Sequence, residues 1–111
     1  MKLPNFDNAI IQKEKLTKYC LNELHPIGKY KARLFKSILQ ITIANYQDLI
    51  ALIKKGLQHT VAKERKSDMY GRRYSVDIKI LKNAEVITIR TNWIIKNKEN
   101  IPTLTSCFIK L

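Results

Sequence analysis

Histidine is the side chain whose charge changes near neutral pH, and the chain has two, His25 and His59. His25 lies in Glu23-Leu24-His25-Pro26-Ile27-Gly28-Lys29, just ahead of Lys29 and Lys31. A proton carrier beside cations suits RNA cleavage. The ribose 2′-OH needs a base, the phosphorane needs positive charge, and the leaving oxygen needs an acid. In that scheme His25 carries the proton. Lys29, Lys31 and Arg73 stabilise the phosphate, and Thr105 adds a supporting donor. Arg72-Arg73 follows Gly71, and an arginine fork matches a phosphate in shape and charge. Tyr70 and Tyr74 flank that pair, a mixture of cation and ring that suits single-stranded RNA. Arg33, Lys36, Tyr70, Arg72 and Arg90 are the expected nucleic-acid contacts. Each residue also has a plainer reading. His25 caps or packs the turn before Pro26, and His59 favours a helix carboxyl end. The lysines are solvated, the Arg pair is a charged strand end that discourages edge pairing, and the threonines are ordinary strand residues.

The overall charge supports the same class of partner. The chain of 111 residues holds 21 Lys+Arg against 9 Asp+Glu, a formal net charge of +12. With 45% hydrophobic and 27% charged residues it is neither disordered nor a solvating acidic tail. Such a balance points to nucleic acid first, an acidic protein second and an anionic membrane surface third. Cys20 and Cys107 show no paired spacing and no His/Cys cluster, so no metal and no cofactor is expected. They read as reduced, buried thiols in a cytoplasmic protein. The first residues lack the apolar region of a signal peptide, and no apolar run is long enough to span a membrane. No GxSxG, P-loop or Rossmann fingerprint is present.

These side chains need a frame, and the hydrophobic period supplies one. Residues 1–11 read as a loop, with a short extended piece at Ala9-Ile10-Ile11. Leu16, Tyr19 and Cys20 predict a first helix within 12–23. Ala32, Phe35, Ile38 and Leu39 predict a second over 29–40, with Lys29, Arg33 and Lys36 as a basic ridge. Tyr46, Leu49, Ile50, Ile53 and Leu57 predict a third over 45–58, capped by Thr42 or Asn45. Residues 61–68 read as a charged connector. Tyr74, Val76, Ile78 and Ile80 then alternate with polar residues, as do Ile87, Ile89, Thr91, Trp93 and Ile95. Thr103 to Ile109 is a last strand. The expectation is one α+β domain over 1–111, with a helical part at 12–58 and a sheet at 70–111. About three helices pack on one face of three to four antiparallel strands. Thr88, Arg90, Asn92, Thr103 and Thr105 mark the other face. Trp93 is expected in the core.

The segment Tyr19-Cys20-Leu21-Asn22-Glu23-Leu24-His25-Pro26-Ile27-Gly28-Lys29-Tyr30-Lys31-Ala32 resembles the signature of a small bacterial family of unknown function. Gly71-Arg72-Arg73-Tyr74-Ser75-Val76, Trp93-Ile94-Ile95 and Pro102-Thr103-Leu104-Thr105 are similar to its strands, with Thr103 where that family has arginine. The layout is also similar, more distantly, to the barnase/EndoU/colicin/RelE-like ribonuclease superfamily, which includes toxins of bacterial toxin–antitoxin pairs. That resemblance implies a metal-independent endoribonuclease. It would act by 2′-OH attack, with an acidic antitoxin as partner, as a homodimer or a toxin–antitoxin hetero-oligomer. The alternative is a non-catalytic module that binds nucleic acid or an acidic protein. The charge falls in two blocks, 8 basic against 3 acidic side chains in residues 1–40 and again in 71–111. Function turns on whether the fold joins them.

Overall fold

A computed structural model describes all 111 residues. Four strands form one antiparallel sheet in the order β1-β2-β3-β4, with β1 Ala62–Asp68, β2 Gly71–Lys82, β3 Glu85–Lys96 and β4 Thr103–Lys110. The helices are α1 Lys13–Lys15, α2 Lys29–Leu39 and α3 Tyr46–Leu57. This is the expected α+β arrangement, with the helices packed against the sheet.

Period two sorts the strands into faces. Tyr74, Val76 and Ile78 of β2, Ile89, Trp93 and Ile95 of β3, and Leu104, Cys107 and Ile109 of β4 are buried in one cluster. The helices add Phe35, Leu49, Ile53 and Leu57 to it. Trp93 sits at its centre, as its apolar neighbours predicted. Its indole N–H donates to Thr91 Oγ1 at 2.8 Å, and that hydroxyl donates to the Val76 carbonyl at 2.8 Å. The one buried polar side chain of β3 is therefore satisfied inside the core. Cys20 and Cys107 are both buried there. Their mutual hydrogen bond, together with burial, pushes the Cys107 thiol well above its ordinary value.

Two features differ from the expectation. The connector at 61–68 is a strand, β1, so the sheet begins at residue 62 and not at 70. Only Ala62 of β1 is buried, because β1 is an edge strand with charged side chains on both sides. Nothing in its hydrophobic pattern therefore alternates. The first helix is one α turn, Lys13–Lys15, followed by a π-helical segment, Leu16–Cys20. The Leu21 N–H reaches back to the Leu16 carbonyl at 2.8 Å, one residue further than an α-helix allows.

Glycine explains one close approach. A methyl group on Gly56 of α3 would stand 2.4 Å from Ile78 Cγ2, so α3 lies on β2 only because that Cβ is missing. The β2–β3 turn places Asn83 and Ala84 at positive φ, the two-residue hairpin that matches strand twist. Lys82 Nζ ties this hairpin to the end of α2 through the Ile38 carbonyl at 2.8 Å and the Gln40 side chain. The amino-terminal segment closes the layer. The Met1 carbonyl accepts from Ala62 N–H, and Ile10 bridges in parallel to Thr103. The extended piece expected near Ile10 is this bridge.

Candidate nucleic-acid interface

The same alternation that buries Tyr74 and Trp93 turns their neighbours to the face the helices leave open. Register defines that face row by row. Arg65 stands opposite Arg73, which stands opposite Ile94 and then Thr103. Lys63, Ser75, Asn92 and Ser106 form the next row. Asp77, Arg90 and Phe108 follow, then Lys79, Thr88 and Lys110. Cross-strand side-chain bonds confirm the sharing of a face. Arg65 Nε donates to Ser75 Oγ at 2.7 Å, Asn92 Nδ2 to Ser106 Oγ at 3.0 Å, and Lys79 Nζ to Thr88 Oγ1 at 2.8 Å.

Asp77 is the only carboxylate in those rows. Arg90 grips it with two bonds, Nε to Oδ1 and Nη2 to Oδ2, both 2.8 Å. Lys110 Nζ adds a contact at 4.0 Å. The hydrogen bonds from Arg90, then its charge and those of Lys110 and Lys79, hold the Asp77 carboxyl below its ordinary range despite partial burial. The same pair raises Arg90. At the margin, Arg73 Nε donates to Asp68 Oδ2 at 3.0 Å. Asp68 also accepts from the Tyr70 N–H, the largest of the causes that lower its carboxyl. Lys63, Arg65 and Lys79 have no carboxylate partner. The face is thus a cationic surface with hydroxyl and amide groups between the charges, and with Ile94 and Phe108 as its apolar members.

Of the residues singled out from sequence, Arg73 and Arg90 lie on this face. Thr105 lies at its edge, the extra residue of a bulge in β4 opposite Asn92 and Trp93, and its Oγ1 donates to the Asn92 carbonyl at 3.1 Å. Lys31 joins them from α2, with Nζ 4.5 Å from the Phe108 ring centroid. Phe108 and Arg73 are separated by two strands and two rows, on the order of 15 Å between their Cα atoms.

The others stand apart. Arg72 points to the inner side, as strand alternation requires, and its Nη1 donates to Tyr74 Oη at 3.4 Å. Tyr70 is exposed in the β1–β2 turn. Lys29 and Arg33 flank the exposed Tyr30 ring at 5.1 and 5.6 Å, and Lys36 meets Glu23 at 3.7 Å. His25 makes its polar contacts within its own loop. Its Nδ1 accepts from the Ile27 and Gly28 N–H groups at 3.0 and 2.9 Å, and its ring meets Tyr19 edge-on at 4.8 Å. These bonds cap amides that lead into α2. They require the proton on Nε2 and occupy the only ring lone pair of neutral imidazole. His25 in this geometry donates through Nε2 and has no free lone pair with which to take a proton from a 2′-OH.

Sequence reasoning missed Lys63, Arg65, Asp77, Lys79 and Lys110. The signal for two of them was the i, i+2 spacing of Lys63 and Arg65, which is a one-sided pattern only on a strand. No group of three His, Cys, Asp or Glu side chains is placed to hold a metal ion. No helix is long and apolar enough to cross a membrane.

No curated protein and no solved structure matches the chain. Residues 2–111 match the family described as a domain of unknown function, DUF6883, and the chain belongs to that family.

Proposed function

We propose that the protein binds single-stranded RNA across the open face of its sheet. One observation carries this reading: Lys63, Arg65, Arg73, Lys79, Arg90 and Lys110 share a face whose rows hold Asp77 as their only carboxylate. Phosphates are the natural complement of such a surface. The amide and hydroxyls of Asn92, Ser106 and Thr103 suit base edges and 2′-OH groups. The test is fluorescence anisotropy with a labelled single-stranded RNA and its duplex. The expected result is tighter binding to the single strand, weakened by Arg65→Ala and by Arg90→Ala. Equal affinity of both variants and wild type refutes the reading.

Cleavage is the second reading, favoured by the meeting of Lys31 with the Phe108 end of the face. There Lys31 and Arg90 would stabilise the phosphorane of a 2′-OH attack, with Thr105 nearer the margin and Lys29 apart, beside Tyr30. The protein would then be a metal-independent endoribonuclease, the toxin of a toxin–antitoxin pair. His25 stands apart from this end of the face with Nδ1 committed to its own loop. In this scheme solvent water therefore takes the 2′-OH proton and water protonates the leaving 5′-oxygen, and His25 holds the loop ahead of α2. Incubation with end-labelled RNA in chelator decides it. The expected product carries a 2′,3′-cyclic phosphate, and its yield falls in Lys31→Ala. Intact RNA at stoichiometric protein removes cleavage and leaves binding standing.

A further inference from the structure

The strand β2 is longer than the strand beside it. β1 pairs with it only between Gly71 and Val76, so from Asp77 onward β2 has no neighbouring strand on that side. In an antiparallel ladder alternate residues turn their N–H and C=O groups to opposite sides. Lys82 and Glu85 close the two-residue hairpin as a hydrogen-bonded pair, which commits the even-numbered residues of β2 to β3. Ala62 agrees with that phase. It stands opposite Val76 and sends its N–H away from β2, to the Met1 carbonyl. The N–H and C=O of Lys79 and Leu81 therefore point at the open side. Both side chains are exposed, Leu81 by 75%.

This open stretch is one wall of a groove. The opposite wall is the end of α3, with Leu52, Lys55 and Gly56, and His59 just beyond it. Ile78 and Ile80 add apolar surface beside Leu52, and Gly56 rests directly on Ile78. The charged side chains that line the groove are Lys55 and Lys79, and neither is in an ion pair. Asp77, the next carboxylate along β2, is already held by Arg90. The other edges of the sheet are guarded. β1 carries charges on both faces and is irregular between Arg65 and Asp68, and Ile10 sits on the start of β4.

We infer that an acidic, extended segment of a partner protein adds to β2 here as an antiparallel strand, continuing the line of β1. Its backbone pairs with Lys79 and Leu81. Its apolar side chains fall on Leu52, Ile78 and Ile80, and an alternate carboxylate stands opposite Lys79 on the outer face. Charge selects the occupant. A second copy would bring two chains of +12 together with Lys55 and Lys79 of each in the contact. A nucleic acid has no peptide ladder to offer. This partner site goes beyond RNA binding and does not rest on it, because the pairing is made by backbone groups at the edge.

The probe is a short capped peptide of alternating glutamate and valine. Paired antiparallel with glutamates opposite Lys79 and Leu81, it turns its glutamate N–H groups to β2 and its valine N–H groups away. Binding is read by NMR titration of the isotope-labelled protein and by amide hydrogen exchange. In the free protein the Lys79 and Leu81 amides are expected to exchange at least about tenfold faster than those of Ile78 and Ile80, and to slow at least about tenfold at saturating peptide. N-methylation of the glutamates is expected to weaken binding at least about tenfold, and N-methylation of the valines to leave it unchanged. Lysine in place of glutamate is expected to abolish it. Leu81→Pro removes an edge N–H that the sheet does not use, and is expected to weaken binding about fivefold. Protection of the Lys79 amide equal to that of Ile80 in the free protein overturns the proposal. So does equal affinity for the unmodified and both methylated peptides, a greater loss on methylating the valines, or full affinity for the lysine peptide. A dimer whose formation protects the Lys79 and Leu81 amides overturns it in favour of self-pairing.

Discussion

The salt dependence of RNA binding follows from the charges on the open face. Binding that neutralises phosphates releases counterions, and for single strands the log–log slope is about −0.7 per contact. The face holds Lys63, Arg65, Arg73, Lys79, Arg90 and Lys110, with Asp77 and the marginal Asp68 opposing them. The net is about four charges, giving a slope near −2.8. Affinity then falls roughly fifty-fold between about 50 and 200 mM salt. Lys63 and Arg65 are free of carboxylates, so removing both lowers the count by two without exposing an orphan anion. The double alanine variant should show a slope near −1.4 and only about a sevenfold fall over the same range. The assay is anisotropy of one labelled single strand at four or more salt concentrations for both proteins. A wild-type slope shallower than about −1, or the same slope in the double variant, refutes the assignment of this face.

Three further outcomes follow from particular contacts. His25→Ala should lower stability by about 1 kcal/mol through loss of the acceptor for two backbone amides, and His25→Asn should recover most of it. Equal urea midpoints for wild type and His25→Ala would remove the capping role. Gly56→Ala would stabilise an isolated helix by about 1 kcal/mol. Here the added Cβ meets Ile78, and the change should destabilise by about 1–3 kcal/mol. A raised melting temperature contradicts that packing. The Asp77 carboxyl sits below its ordinary value of 3.8 because Arg90 binds its charged form. A carboxyl with a depressed folded pKa stabilises the fold above its unfolded pKa, and that stability is lost as pH falls through the folded one. Denaturation midpoints measured downward from about pH 5 should therefore fall more steeply in wild type than in Asp77→Asn. Parallel curves would mean that the Arg90 contact does not act on folding.

The core was legible because burial writes a period into the chain. Val76, Ile78, Ile89 and Trp93 alternate, and Leu49, Ile53 and Leu57 recur at helical spacing, so both element types and their inner faces could be read. The strand β1 was not legible, since an edge strand with exposed Lys63, Glu64, Arg65 and Lys66 leaves no apolar alternation to read. The π-helical segment was invisible for a related reason. Leu16 and Cys20 are four apart, which fits an α-helix as well as the wider turn they form. The candidate site was half legible. Arg73 and Arg90 were found because their strands were found, and Lys63 and Arg65 were missed with β1. His25 shows the limit of residue type as a guide. An imidazole in a basic loop suggests proton transfer, and only the position of the Ile27 and Gly28 amides shows that its lone pair is already in use.

Arg65 and Arg73 sharpen the argument for an anionic ligand. They stand directly opposite on neighbouring strands, an arrangement that costs a few tenths to about 1 kcal/mol. Ser75 takes the Arg65 Nε and Asp68 takes the Arg73 Nε, which orients both guanidinium groups but leaves their terminal N–H groups unmatched. A phosphate between the two forks satisfies those donors and turns the repulsion into shared attraction. The odd-numbered residues of β2 make this possible. Arg73, Ser75, Asp77 and Lys79 face outward for the same geometric reason that Tyr74, Val76, Ile78 and Ile80 face the helices. The helical layer, by burying one side of β2, leaves the charged side chains of the other side to solvent and to whatever anion meets them there, with Ser75 buried beneath them.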